Sequence, residues 1–405
     1  METDATLLFN PFDPEIRANP YPHYQRLLQA PPLRFTALIS AVIISRYDDI
    51  ERVLTDYEPF SNHRPEATPF RQLDLTGGAA TMLGADPPVH TRLRKLVSRD
   101  FTPRMIAAMA PRVREITGAL LDEVAAKGEF EVMADLANQL PVLVIAEMLG
   151  IPTQRHREFK AWSNAIISSS AVPPYMPRPP EAIEATAALR EFLAGEIERR
   201  HDRPGPDLIS ALIAHQEAEV LTPGELLAFL ILLLMAGNET TTNLIGNGLL
   251  ALVRHPEQLT RLRNEPSLMA SAVEEILRFD SPVQGAVRLV RQPANIGGVE
   301  IEPGTLAIVL LAAANRDPSK FDRAEVFDIA RDPNEHIAFG HGIHFCLGAQ
   351  LARLEGAIAL SSVLERFPRL ALADSAMTLS YRGSLFLRGL NSLPMSIGSR
   401  STISS

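Results

Sequence analysis

One segment constrains the fold of this chain more than any other, the run that begins at Thr222-Pro-Gly-Glu225. Thr222 suits an N-cap, Pro223 the first helical position, and Glu225 closes a capping box. The text that follows is nearly all apolar through Met235 and predicts a helix to about Val253. A helix apolar on most of its faces belongs at the centre of a protein. Its longest unbroken apolar run, Leu226 to Ala236, has eleven residues, well short of the ~17–25 that span a bilayer. The rest of the chain must therefore wrap around a buried central helix.

The surrounding text is mostly helical. Tyr21 to Ala30 predicts a short helix, and Ile106, Met109, Val113, Ile116, Leu120 and Val124 recur every three or four residues as one amphipathic helix. Val132 to Leu149, Glu181 to Arg200 and Ala349 to Leu364 read the same way. Leu38 to Ser45 reads as a strand. So does the text after Arg278, GAVRLV and ANIGGVEIEPGTLAIVLLAAA, with Gly297–Gly298 as a hairpin turn. Ser61 to Asp86 reads as a long irregular loop, of the kind that is often functional, and the Pro-rich 171–183 as a surface loop. No low-complexity linker divides the 405 residues, which predicts a single domain over 1–405.

Net charge is −9 and no long Lys/Arg block appears, which argues against nucleic acid as a partner. The acidic N-terminal text METDATLLFNPFDPE does not fit a signal peptide. With one cysteine in the whole chain, a cytoplasmic protein without membrane attachment is expected.

That cysteine, Cys346, lies in FGHGIHFCLGAQLA, spaced Phe339-Gly340-x-Gly342-x-His344-x-Cys346-x-Gly348. Its position just before a helix suggests a thiolate favoured by backbone N–H groups and the helix dipole. Inside the central helix sits a polar cluster, Ala236-Gly237-Asn238-Glu239-Thr240-Thr241. A buried polar cluster is costly unless hydrogen-bonded or functional. A threonine hydroxyl bonding one turn back would open a local groove. Glu275 and Arg278 face each other at i and i+3, as do His90 and Arg94 at i and i+4.

Together these motifs resemble the cytochrome P-450 family over about Pro11 to Leu370, and the cysteine loop matches the family's haem-binding loop. The resemblance implies a mainly α fold with small β-sheets, and haem b (iron protoporphyrin IX) between the long central helix and the cysteine-loop helix. It implies that Cys346 is the axial thiolate on iron. Glu239 is implied as the proton-relay acid, and Thr240 as the hydroxyl that steadies reduced dioxygen. His90, Arg94, Arg288 and His344 match positions that bind the haem propionates, while His341 stands where the family often has arginine. Glu275, Arg278 and Arg331 match a buried structural triad.

The activity implied is a soluble, bacterial-type monooxygenase. It would insert one oxygen atom from O₂ into an apolar, medium-sized substrate by hydroxylation or epoxidation. No reductase domain follows Ser405, so the resemblance implies electrons from a separate ferredoxin and its NAD(P)H-dependent reductase, with a monomer as the family's usual state. The substrate pocket would be lined by 61–86, 166–180, the apolar helix before Thr240, Val283 to Val287 and Ser384-Leu385-Phe386. A haem-thiolate peroxygenase or NO reductase is the alternative reading, disfavoured by the Glu239–Thr240 pair. A non-catalytic haem sensor or carrier is the more distant one.

Overall fold

A computed structural model describes residues 13–35, 41–63, 78–168, 177–217, 221–382, 384 and 386–398. The central helix runs from Pro223 to Arg254, 32 residues or roughly 48 Å. Its predicted cap is present. The Thr222 hydroxyl accepts from the Glu225 amide at 3.2 Å, and the Glu225 carboxylate accepts from the Thr222 amide at 2.9 Å. The helix is long and apolar enough to cross a bilayer, yet 67% of its most apolar window is buried inside the protein. It is therefore a core helix.

The cysteine-loop helix, Ala349–Arg366, packs directly on the central helix. Gly356 permits that approach, since a Cβ there would come within 2.9 Å of Leu244 Cδ2. The helix Met269–Phe279, which carries Glu275 and Arg278, packs against both.

Ten strands lie among the described residues, in three small sheets. β1 (Leu33–Phe35), β2 (Ala41–Ile44), β3 (Phe60–Ser61), β5 (Ala286–Val290) and β8 (Leu306–Val309) form the largest, ordered β1-β2-β8-β5-β3. The β2–β8 pair is parallel, with Ala41 opposite Leu306. β4 (Phe130–Glu131), β9 (Ala371–Leu372) and β10 (Pro394–Ser396) make a second sheet. β6 (Ala294–Ile296) and β7 (Val299–Ile301) form a hairpin. Its turn residues Gly297 and Gly298 have φ of 55° and 83°, as a tight hairpin turn requires.

The structure corrects three expectations of local structure. The helix expected from Ile106 through Val124 is two, Pro103–Ala108 and Ala110–Lys127. The one expected over Val132–Leu149 is a π-turn at Met133–Ala137 followed by an α-helix at Leu140–Met148. In both cases a proline, Pro111 or Pro141, sits in the first turn of the second helix. Proline has no N–H to donate and is tolerated there but not in a helix interior. The apolar text LLAAA leaves the sheet after β8 and forms a short helix, Leu311–Ala314, in line with the helix preference of alanine. Part of the strand expected over Leu38–Ser45 lies outside the described residues. So do parts of the loops 61–86 and 171–183.

Candidate haem and oxygen site

A cavity of about 390 Å³ lies between the central helix and the cysteine loop. From the central helix it is lined by Ala236, Gly237, Thr240, Thr241 and Leu244, and from the loop by Phe339, Gly340, His344, Cys346 and Gly348. The sequence gives each wall its shape. Gly340 and Gly342 have φ of 74° and 68°, the left-handed region that favours glycine. A Cβ on Gly342 would also lie 2.7 Å from the Leu54 carbonyl. The loop is closed by the Cys346 amide donating to the Phe339 carbonyl at 2.9 Å, which fixes where the sulfur sits.

The thiol differs from the expectation. Burial pushes the Cys346 thiol up, and it outweighs the Gly348 backbone amide and the Arg94 and Arg353 charges that pull it down. The loop alone does not hold a thiolate, because desolvation of the anion exceeds what one amide and two cations return. A coordinated metal ion deprotonates a thiol outright, so the chemistry of this donor fits an iron ligand.

His90, Arg94, Arg288, His341 and His344 all line the same cavity. His90 and Arg94 come from the helix Val89–Val97, and Arg288 from β5. The His90 and His344 rings lie 4.3 Å apart. Neither ring nitrogen of His90 has a partner, nor has Nε2 of His344. Burial, then the His90, Arg288 and Arg94 charges, push His344 down to about 3. Burial and Arg94 lower His90 as well. Basic groups crowded together with unmatched donors form a place for negative charge. The two carboxylates of haem meet that need, so the residues present fit the cofactor. His341 sits apart from this group, with Nε2 3.7 Å from the Glu51 carboxylate.

On the central helix, the Thr240 hydroxyl donates to the Ala236 carbonyl at 2.7 Å. The back-bond is as expected, but the helix stays α-helical throughout. Space beside Gly237 is taken up by protein, since a Cβ there would lie 2.8 Å from Ile145 Cδ1. Glu239 is buried, at 4% exposure, and does not line the cavity, whereas Thr241 does. Asn238 turns the other way and donates to the Ser163 hydroxyl at 2.6 Å.

The expected triad is assembled. Arg278 Nε and Nη2 each donate to the Glu275 carboxylate at 2.8 Å, and Arg331 Nε donates to it at 3.2 Å. Glu275 and Arg278 have no solvent exposure. None of the three lines the cavity.

The remaining lining is largely apolar and includes Met82, Phe101, Ile145, Phe229, Leu233 and Val283. Of the expected substrate segments, described parts of 61–86, the central helix and Val283–Val287 do contribute. Described residues of 166–180 do not, nor do Ser384 and Phe386; residues 169–176 and Leu385 lie outside the described residues. Phe101 and Ile145 had no signal in the sequence beyond being apolar.

Sequence reasoning also missed Glu355. It is fully buried on the cysteine-loop helix, lines the cavity, and its Oε2 has no partner. Burial raises it from 4.5 to about 8, so it is neutral at pH 7. An acid whose folded pKa is raised stabilises the fold fully below its unfolded pKa and loses that stability as pH climbs towards the folded value. Glu355 should therefore contribute a loss of stability between pH 4.5 and about 8, so the advantage of wild type over Glu355→Gln should shrink across that range. Denaturation midpoints of both proteins from pH 5 to 9 check this; parallel profiles would refute it.

The comparisons with known proteins agree with this geometry. The family description Cytochrome P450 matches residues 38–391. Cytochrome P450 107B1 of Saccharopolyspora erythraea is 40% identical over 403 residues, covering 96% of this chain and 97% of that protein. Vitamin D(3) 25-hydroxylase of Pseudonocardia autotrophica is 40% identical over 389 residues, covering 95% of each. The crystal structure of CYP109E1 from Bacillus megaterium in complex with testosterone superposes with a TM-score of 0.85 at 34% identity, covering 96% of this chain and 100% of that one. A match over most of the chain, on a fold that sets a lone cysteine and a threonine around one cavity edged by basic side chains, leaves one conclusion: the chain belongs to the cytochrome P450 family, as a haem b monooxygenase of the bacterial type.

Proposed function

We propose that the 405 residues form one catalytic domain that oxidises an apolar, medium-sized organic molecule, with Cys346 as the thiolate ligand of haem. The observation that carries this reading is the single cavity that gathers Cys346, Thr240, His90, Arg94, Arg288 and His344. Its lining runs from Leu54 to Glu355, so the site needs nearly the whole chain.

Haem b, when bound, supplies the redox-active iron at which O₂ is reduced and cleaved. The chain's own residues do the rest. Cys346 Sγ would hold the iron and donate electron density to it. His90, Arg94, Arg288 and His344 would pair with the two propionates, which would give the His90 and His344 rings the partners they lack. Thr240 presents a hydroxyl to the cavity, and its own proton is held by the Ala236 carbonyl at 2.7 Å. Its lone pairs thereby stay available to accept a hydrogen bond and set the path of an incoming proton. Glu239, adjacent in sequence and buried, is the acid proposed to feed that path. The apolar lining excludes water and orients a C–H bond or alkene. Glu275, Arg278 and Arg331 act as scaffold.

A relative named for vitamin D(3) hydroxylation and a structural neighbour holding testosterone support a substrate of polycyclic, sterol-like size. Electrons are proposed to come from a ferredoxin and its NAD(P)H-dependent reductase, with the protein working as a cytoplasmic monomer.

Thr240→Ala tests the oxygen-side assignment. With a substrate that gives a high-spin shift, NAD(P)H oxidation should continue while product per NAD(P)H falls about ten-fold or more, a loss in the range of misplaced proton delivery. Unchanged coupling would sink the assignment.

A further inference from the structure

A second cavity, of about 620 Å³, shares no lining residue with the first. It is bounded by the helix Tyr21–Leu28, the C-terminal ends of the central helix and of the helix Met269–Phe279, and the segment 377–388. One wall is a column of alternating rings and guanidinium groups. Arg316 lies 3.6 Å from the Phe279 ring centre and 4.2 Å from that of Tyr21. Arg388 lies 5.6 Å from the Tyr21 ring centre and 3.9 Å from that of Tyr381.

The two arginines are not equally served. Arg388 donates from Nε to Asp280 at 2.7 Å, from Nη1 to the Arg17 carbonyl and from Nη2 to the Ala18 carbonyl. Burial works against its charge, but Asp280 and the neighbouring tyrosines hold it up. Arg316 directs both Nε and Nη2 at one acceptor, the Phe279 carbonyl. Among the described residues no acceptor faces its Nη1. Burial outweighs the nearby negative groups and pushes Arg316 down to about 10. Arg254, in the last turn of the central helix, adds a third guanidinium to the lining. Asp280 is the one carboxylate among the lining residues, and it already accepts from Arg388 and the Tyr21 hydroxyl. Three guanidinium groups thus face one carboxylate, whose Oδ1 already accepts two hydrogen bonds, while Arg254 bonds the Tyr381 hydroxyl. The carbonyl ends of two helices offset part of that excess. The rest of the lining is largely apolar, with Leu250, Met377 and Leu379.

We propose that this cavity binds a small organic monocarboxylate, its carboxylate paired with Arg316 and Arg254 and its ring or short chain packed on Leu250, Met377 and Leu379. A planar guanidinium fork matches a carboxylate, and a cavity of this volume suits a small organic ligand. The site is separate from the oxidation site and does not depend on how haem is held.

The test uses haem-loaded protein and 4-fluorobenzoate, with 4-fluorobenzamide as its neutral analogue, read by fluorine NMR while the Soret band is followed. Saturable benzoate binding is expected, with the amide about ten-fold weaker or more and the Soret band unmoved. Arg254→Gln and Arg316→Lys should each weaken benzoate about five- to ten-fold. Arg316 is buried, so if that variant does not fold, Arg254→Gln decides alone, because Arg254 sits at a helix end and is exposed. No saturable binding, equal affinity for the amide, unchanged affinity in Arg254→Gln, or a Soret shift that tracks occupancy would each overturn the proposal. The last outcome would place the ligand beside the haem.

Discussion

Replacing Cys346 with serine is expected to abolish monooxygenase activity while leaving the protein folded. Cys346 is the chain's single thiol and is only partly exposed. A serine there removes one polarisable atom from a loop whose shape is set by other contacts. Those contacts are the Cys346 amide bond to the Phe339 carbonyl and the left-handed Gly340 and Gly342. The chemical loss is far larger. A serine oxygen is a less polarisable ligand than a thiolate and cannot supply the electron density that favours O–O cleavage. Burial raises the Cys346 thiol in the protein alone, so the metal must supply the deprotonation.

The measurement is the absorption spectrum of the reduced, CO-bound protein. Wild type should show the strongly red-shifted Soret band of thiolate ligation. Cys346→Ser should show a band at the position of neutral ligation, and turnover should drop to background. A variant that keeps the red-shifted band would place the ligand elsewhere and overturn the assignment.

The parts of the site that were legible in the sequence are those encoded by local spacing. The cysteine loop, the Thr222 capping box, the Glu275–Arg278 pair and the His90–Arg94 pair each lie within one helix turn or one loop. Spacing shows which of these residues meet, while the resemblance supplies the roles of the two charged pairs. Helix ends were harder, because apolar periodicity runs across a proline; Pro111 and Pro141 were visible, and the period outvoted them.

Glu355 could have been found, since it follows Leu351 by one turn on the buried stripe of an apolar helix. The propionate-side cations were recoverable only through the resemblance, because Arg94, Arg288 and His344 converge from three distant elements. The second cavity had no local signal at all. Its ring-and-guanidinium column joins Tyr21, Arg316 and Arg388 across most of the chain, and no periodicity or motif links them.

Glu275→Gln is expected to cost about 3–5 kcal/mol of stability, the range for stripping a buried charge of its partner. The reason lies in the number of donors that converge on one carboxylate. It accepts from Arg278 Nε and Nη2 at 2.8 Å, from the Asp328 amide at 2.9 Å, and from Arg331 Nε and Asn334 Nδ2 at 3.2 Å. A glutamine amide would point donors at donors and leave two guanidinium groups without a counter-charge. Arg278 cannot turn to solvent, because its remaining N–H groups are held by the carbonyls of Asn315, Ala324 and Val326 at 2.8–3.0 Å.

The damage should also reach the haem. Arg278 fixes Asn315 through its carbonyl, and the Asn315 side chain accepts from the Ile337 amide at 2.8 Å. The Ile337 carbonyl in turn accepts from Gly340 at 2.9 Å, at the start of the cysteine loop. A variant with a loosened triad should therefore retain less haem, with no change in the ligand itself.

Asp122→Asn is the control. It breaks the Arg366–Asp122 ion pair, which is as short at 2.8 Å but lies 49% and 72% exposed, and it should cost no more than about 1 kcal/mol. Denaturation midpoints and haem content of the two variants beside wild type make the comparison. If Glu275→Gln loses no more stability or haem than Asp122→Asn, the triad is not the scaffold of the cysteine loop.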